Sequence, residues 1–119
     1  MYKIDFYRDK NGRSEISEFM NYLAEAYPTS KDARIQHDKI TAYINLLIEY
    51  GVALPERYTK HIDEDIWELR PGKNRVLFFC WTGTTFVMLH HFRKTTNKTL
   101  KQEINKAKRE RDDYIRRHK

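Results

Sequence analysis

Residues 66–99, IWELRPGKNRVLFFCWTGTTFVMLHHFRKTTNKT, hold three apolar, strand-like runs separated by PGKN at 71–74 and TG at 82–83. Runs rich in Val, Phe, Trp and Leu, broken by glycine-containing turn sequences, are the pattern of a three-stranded antiparallel meander. With Gly72 and Lys73 central to the first turn, Pro71 faces Asn74 and Arg70 faces Arg75 across the ladder. With Thr82 and Gly83 central to the second, Trp81 faces Thr84, and counting back sets Arg75 opposite His90. Arg70, Arg75 and His90 then form one row. Alternation keeps Phe92 and Lys94 on that face and sends His91 and Arg93 to the other, and a bulge would exchange the two sets. Trp67, Leu69, Val76, Phe78, Val87 and Leu89 occupy the opposite face as core, packed on helices.

Charge follows the same division. From Leu69 to Gln102 there is no Asp or Glu, whereas Arg70, Lys73, Arg75, Arg93, Lys94, Lys98 and Lys101 are basic. The net charge of +6 is therefore concentrated in the carboxyl-terminal half, as suits an attraction for phosphate backbones or acidic protein segments. Like charges directly opposite one another destabilise a sheet, so an Arg70–Arg75 pair needs an anion beside it. A bound phosphate could supply that anion. So could Glu68, or a carboxylate from Asp63, Glu64 or Asp65.

Outward from the meander, Tyr2–Tyr7 alternates as a strand with Tyr2, Ile4 and Phe6 on one face, followed by a turn at 9–12. Ser14 is placed to cap a first helix, in which Ile16, Phe19, Met20 and Leu23 recur on one side, and which stops before Pro28. Thr29 or Ser30 caps a longer second helix whose stripe is Ile35, Ile40, Tyr43, Ile44, Leu47 and Ile48, with Gly51 as its stop. The two helices read as an antiparallel pair. Residues 52–64, VALPERYTKHIDE, show no period and read as a crossing loop. Beyond Thr99 a last helix carries Leu100, Ile104, Ala107, Tyr114 and Ile115 near one side, and most of its surface is expected to face solvent. The expected class is α+β, as one domain over residues 1–119.

Several function classes drop out. The single cysteine, Cys80, permits no disulfide framework and fits a reducing compartment, with the cytoplasm as the expected location. No run approaches the roughly 18 apolar residues of a membrane span, and MYKIDFYRDKNG lacks the apolar core of a signal peptide, so no membrane partner is expected. His37, His61, His90, His91 and His118 form no zinc-ligand spacing with Cys80, and adjacent His90 and His91 point to opposite faces, so no metal is expected. Gly72 and Gly83 are turn glycines, and no phosphate-binding loop, serine-nucleophile elbow or dinucleotide fingerprint occurs. No cofactor is expected.

Cleavage of a phosphodiester without metal remains, with an RNA 2′-hydroxyl attacking its adjacent phosphate. Arg70 and Arg75 suit phosphate binding and stabilisation of developing charge. Two nearby arginines disfavour the ammonium form of Lys94, which makes it a candidate general base or acid, with His90 as its competitor. Lys73, Arg93, Lys98 and Lys101 supply further RNA contacts. Plain phosphate binding by the same residues, in a noncatalytic RNA- or ribosome-binding module, is the alternative reading. The absence of an RNP aromatic motif, a GXXG loop or a recognition helix argues against the common dedicated nucleic-acid readers.

The order Trp67-Glu68-Leu69-Arg70, then Asn74-Arg75-Val76, then LHHFRKTTNKT at 89–99, followed by a helix containing Ala107, resembles the HigB branch of the RelE-like toxins. These are phage-derived plasmid-maintenance toxins of type II toxin–antitoxin systems. The resemblance covers roughly residues 60–115. It implies a compact α+β toxin that enters the ribosomal A site and cuts mRNA with basic residues. It also implies neutralisation by a cognate helix-turn-helix antitoxin of the HigA kind, in a toxin–antitoxin heterotetramer. Carried over, it assigns Arg70, Arg75 and Lys94 to the RNA-facing set with Lys98 near its edge. Thr95 stands where the family usually has a second lysine, a gap that Arg93 or Lys98 would fill.

Overall fold

A computed structural model describes residues 1–119. The chain is α+β: three helices and a five-stranded mixed sheet, in the order β1-β5-β4-β3-β2. The strands are β1 (Lys3–Phe6), β2 (Thr59–Asp63), β3 (Ile66–Leu69), β4 (Asn74–Trp81) and β5 (Thr85–Arg93). The helices are α1 (Glu15–Ala26), α2 (Lys31–Tyr50) and α3 (Lys101–His118). Strand β1 runs parallel to β5, and the other pairs are antiparallel. No helix is long and apolar enough to cross a membrane.

Local chemistry sets the helix limits. Ser14 Oγ accepts from Ser17 N, and Ser30 Oγ accepts from Ala33 N, each at 3.1 Å. Gly51 ends α2 at φ +61°, where a Cβ would lie 2.6 Å from the Tyr2 ring, so a left-handed turn and a close approach both require glycine there. Ile35 departs from the expected stripe. It is exposed on the outer side of α2, while Ile40 and Leu47 are buried.

Residues 59–63 form the edge strand β2, so the antiparallel meander has four strands, β2 to β5, where three were expected. Its TKHID sequence carries no apolar alternation, because an edge strand with one solvated side tolerates charge, and a bulge between His61 and Asp63 breaks its period. The Arg70–Lys73 link behaves as expected, with Asn74 N donating to Pro71 O at 3.1 Å and Gly72 at φ +65°.

The β4–β5 hairpin differs twice. Trp81 pairs with Thr85 rather than Thr84, so the loop has three residues, and Leu89 is an extra residue opposite the Leu77/Phe78 step. Each change shifts the register by one, and together they restore the side-chain parity beyond the bulge. Arg75 therefore faces Phe92, and His90 faces Leu77 two pairs further along, on the same side of the sheet. Between the two irregularities parity is reversed. Val87 and Leu89 face α3, while Phe86 and Met88 take the expected places beside Val76 and Phe78 under α1 and α2.

Helix α3 covers the second face, making three layers. Ala107 and Tyr114 are buried against Phe79, Val87 and Leu89, more than its sparse apolar residues indicated. Tyr114 Oη donates to Asp5 at 2.7 Å and Tyr7 Oη to Asp113 at 2.8 Å. Lys108 and Arg111 pair with Asp63, Glu64 and Asp65.

Candidate functional site

The end of β3, the start of β4 and the end of β5 converge beneath the first turn of α3. Glu68 is buried there, and its Oε1 lies 3.5 Å from Arg70 Nε and 3.6 Å from Arg75 Nε. Its Oε2 accepts from Thr99 Oγ1 at 2.6 Å. The anion required by the two arginines is thus an internal carboxylate. The acidic run 63–65 instead serves α3.

Arg75 is nearly enclosed. Its Nη1 donates to the carbonyls of Gly72 at 2.7 Å and Asn74 at 2.8 Å. Burial draws its pKa below the usual arginine value, Arg70 adds to that effect, and Glu68 opposes it; arginine still keeps its proton near neutrality. Arg70 donates Nη1 to Glu56 O at 3.2 Å, and its Nε is buried without a hydrogen-bond partner.

Residues 94–100 form an irregular strap across these strand ends, fixed at one end by Lys94 N donating to Lys73 O at 2.8 Å and at the other by Thr99 on Glu68. A cavity of about 210 Å³ lies on one side, with Arg75, Lys94, Phe92, Glu68 and Glu103 in its wall. A second, of about 180 Å³, lies across the strap and is lined by Lys60, His61, Arg70 and Lys98. The strap contributes Lys98 and Thr99 to both cavities. Lys94 is exposed, and its side chain makes no ion pair.

The sequence-derived candidates therefore divide. Arg75 and Lys94 share the first cavity, while Arg70 opens on the second. Arg93 turns toward α2, donating to Gln36 at 3.1 Å, and with Lys73 lines a third hollow around the Pro71–Asn74 turn. Arg93 also reaches the rim of the first cavity. Lys101 opens α3, exposed and outside every cavity wall.

His90 has no free ring nitrogen. It is 1% exposed, with Nδ1 2.5 Å from Glu110 Oε1 and Nε2 3.1 Å from Glu103 Oε1. Burial raises the Glu110 pKa, and His90 opposes that rise. Sequence reasoning missed Glu103 and Glu110. Their signal was the 103, 107, 110, 114 stripe, in which two glutamates share a helix face with Ala107 and Tyr114. It also missed Lys60 and His61, which lie on the unexpected β2.

The chain is thus an α+β protein in which a basic strap between β5 and α3 crosses the ends of the central strands. The family described as "Phage derived protein Gp49-like (DUF891)" matches residues 29–112, from the start of α2 through most of α3. The chain belongs to this Gp49-like family of phage-derived proteins. No curated protein matches it.

Proposed function

We propose that this protein is the toxin of a type II toxin–antitoxin pair, of the HigB kind among RelE-like toxins, acting as a ribosome-dependent endonuclease on translated mRNA. The observation that carries the reading is the cavity under the strap, where the buried cation Arg75 and the solvent-facing Lys94 meet acidic side chains. RNA would enter over the strap, with its scissile phosphate against Arg75 and its flanking phosphates on Arg70, Lys98 and Lys101. Lys73 and Arg93 would take backbone contacts around the Pro71–Asn74 turn. The 2′-hydroxyl of the RNA is the nucleophile, so the chemistry asks only for a base, charge stabilisation and an acid.

Lys94 suits the acid role, because an ammonium offers three donors to a departing 5′-oxygen. His90 does not touch substrate in this reading. Membership of the Gp49-like family and the WELR and HHFRKTTNKT motifs support an antitoxin partner. We expect a helix-turn-helix antitoxin, in a heterotetramer with the toxin, and a cytoplasmic site of action.

One observation favours a noncatalytic RNA- or ribosome-binding module. Two backbone carbonyls and Glu68 already engage Arg75, as a purely structural arginine would be engaged. Induced expression in bacteria separates the readings. The toxin reading expects growth arrest and new mRNA 5′ ends within translated regions, both lost in Lys94→Ala. Growth arrest without new ends supports the module.

A further inference from the structure

Two carboxylates border the cavity that holds Arg75 and Lys94, and they are not equivalent. Glu68 has both oxygens engaged, one by the two arginines and the other by Thr99. Glu103 has only Oε1 engaged, by His90 Nε2, and Oε2 is left without a hydrogen-bond partner in a side chain 21% exposed. We infer that Glu103 is the general base of RNA cleavage, with His90 and Glu110 as the positioning residues that fix its carboxylate. This rests on the endonuclease reading above.

The geometry suits the task. An oxygen that is to take a proton must be free to accept a hydrogen bond from the substrate, and its partner oxygen should be held so that the lone pair stays aimed. His90 holds Oε1. It cannot swing away, because it is sealed beneath α3 with its second nitrogen 2.5 Å from Glu110. The chain Glu110–His90–Glu103 thus runs from the buried side of α3 to the cavity wall, and its two glutamates stand about two turns apart on the same helix face.

The step balances with groups already on the protein and the RNA. Glu103 takes the proton of the 2′-hydroxyl as the 2′-oxygen forms its bond to phosphorus. The phosphorus–O5′ bond breaks, and Lys94 passes a proton to the departing 5′-oxygen. A 2′,3′-cyclic phosphate and a 5′-hydroxyl result, and water returns the proton from Glu103 to Lys94. Arg75 stabilises the negative charge that gathers on the non-bridging oxygens.

The test uses the full chain with programmed ribosomes, measuring ribosome binding and single-turnover cleavage separately. Glu103→Gln is expected to keep binding and lose about a hundredfold or more in cleavage rate. Adding formate to Glu103→Ala should restore cleavage, because a small carboxylate can occupy the space left by the side chain. His90→Gln should slow turnover without weakening binding, and His90→Gln combined with Glu103→Gln should be no slower than Glu103→Gln alone. Cleavage by Glu103→Gln close to the wild-type rate, with Lys94→Ala inactive, overturns the assignment and leaves the endonuclease standing. Wild-type protein that binds ribosomes and leaves every message intact overturns the endonuclease reading itself.

Discussion

His90 and His91 are neighbours on β5, and the strand sends them into different layers. His91 faces α1, where it stacks on Phe19 with ring centroids 4.0 Å apart and planes 16° from parallel. His90 faces α3, with a carboxylate against each ring nitrogen. The contrast extends to the whole of each face. Under α1 and α2 the sheet buries Val76, Phe78, Phe86, Met88 and Leu69 against Ile16 and Leu47, an apolar interior. Beneath α3 it buries Glu68, Arg75 and His90, and the helix adds Glu110, four ionisable side chains that form two pairs, Glu68 with Arg75 and His90 with Glu110. One face stabilises by removing apolar area from water, and the other trades much of that stabilisation for a fixed polar site.

The largest effect on stability should come from the apolar face. Phe78→Ala deletes a fully buried ring between α2 and the sheet and should cost about 3–5 kcal/mol, read as a lowered midpoint in urea unfolding. On the α3 face, His90→Ala leaves Glu110 buried without its partner and should cost about 3 kcal/mol in the same assay. Replacing His90 and Glu110 together by well-packed apolar residues should recover much of that loss, because the unpaired charge goes with them. If the double replacement remains as unstable as the single, the polar interior contributes more than mutual satisfaction.

The two faces also differ in how far the sequence disclosed them. The apolar face was legible, because strand alternation and helix stripes register directly as periodicity, from Ile16 and Leu23 on α1 to Trp67 and Phe78 on the sheet. The register of the polar face came out with correct parity beyond the bulge only because the three-residue loop at 82–84 and the extra residue Leu89 together shift it by two residues, an even number. Val87 meets only the first of these shifts and Leu89 is the bulge residue itself, so both fall on the face opposite the expected one. The arginine pair was legible from the turn, since Gly72 fixes its register. Glu103 and Glu110 were not, because two acids on a highly charged helix look solvated until the strand that meets them is known.

A smaller effect distinguishes the histidines by pH. Burial lowers the His91 pKa below its ordinary 6.5, with Glu15 opposing, so the folded state resists protonation more than the unfolded chain does. That contribution to stability is present above about pH 6.5 and is lost as pH falls through the folded value. Urea midpoints taken at about pH 7.5 and pH 5.5 should therefore fall more steeply for the wild type than for His91→Phe. An equal decline in both would place the acid sensitivity elsewhere.

The smallest effect is expected at the outer rim of α3. Lys108→Ala removes contacts with Asp63 and Glu64 that water already screens, and it should leave the unfolding midpoint unchanged within error. A clear loss would mean that α3 is held by its charged rim rather than by Ala107, Tyr114 and the His90 contacts.

The cleavage proposed for the polar face uses the RNA's own 2′-hydroxyl as nucleophile, and that chemistry is read in the ends of the product. Messenger RNA recovered from programmed ribosomes after exposure to the purified protein should carry a 2′,3′-cyclic phosphate, or the monophosphate formed from it, upstream of the cut and a 5′-hydroxyl downstream. A 2′-deoxy substitution at the scissile nucleotide should block the cut. A 3′-hydroxyl paired with a 5′-phosphate, or undiminished cleavage of the 2′-deoxy message, would rule out the 2′-hydroxyl as the nucleophile.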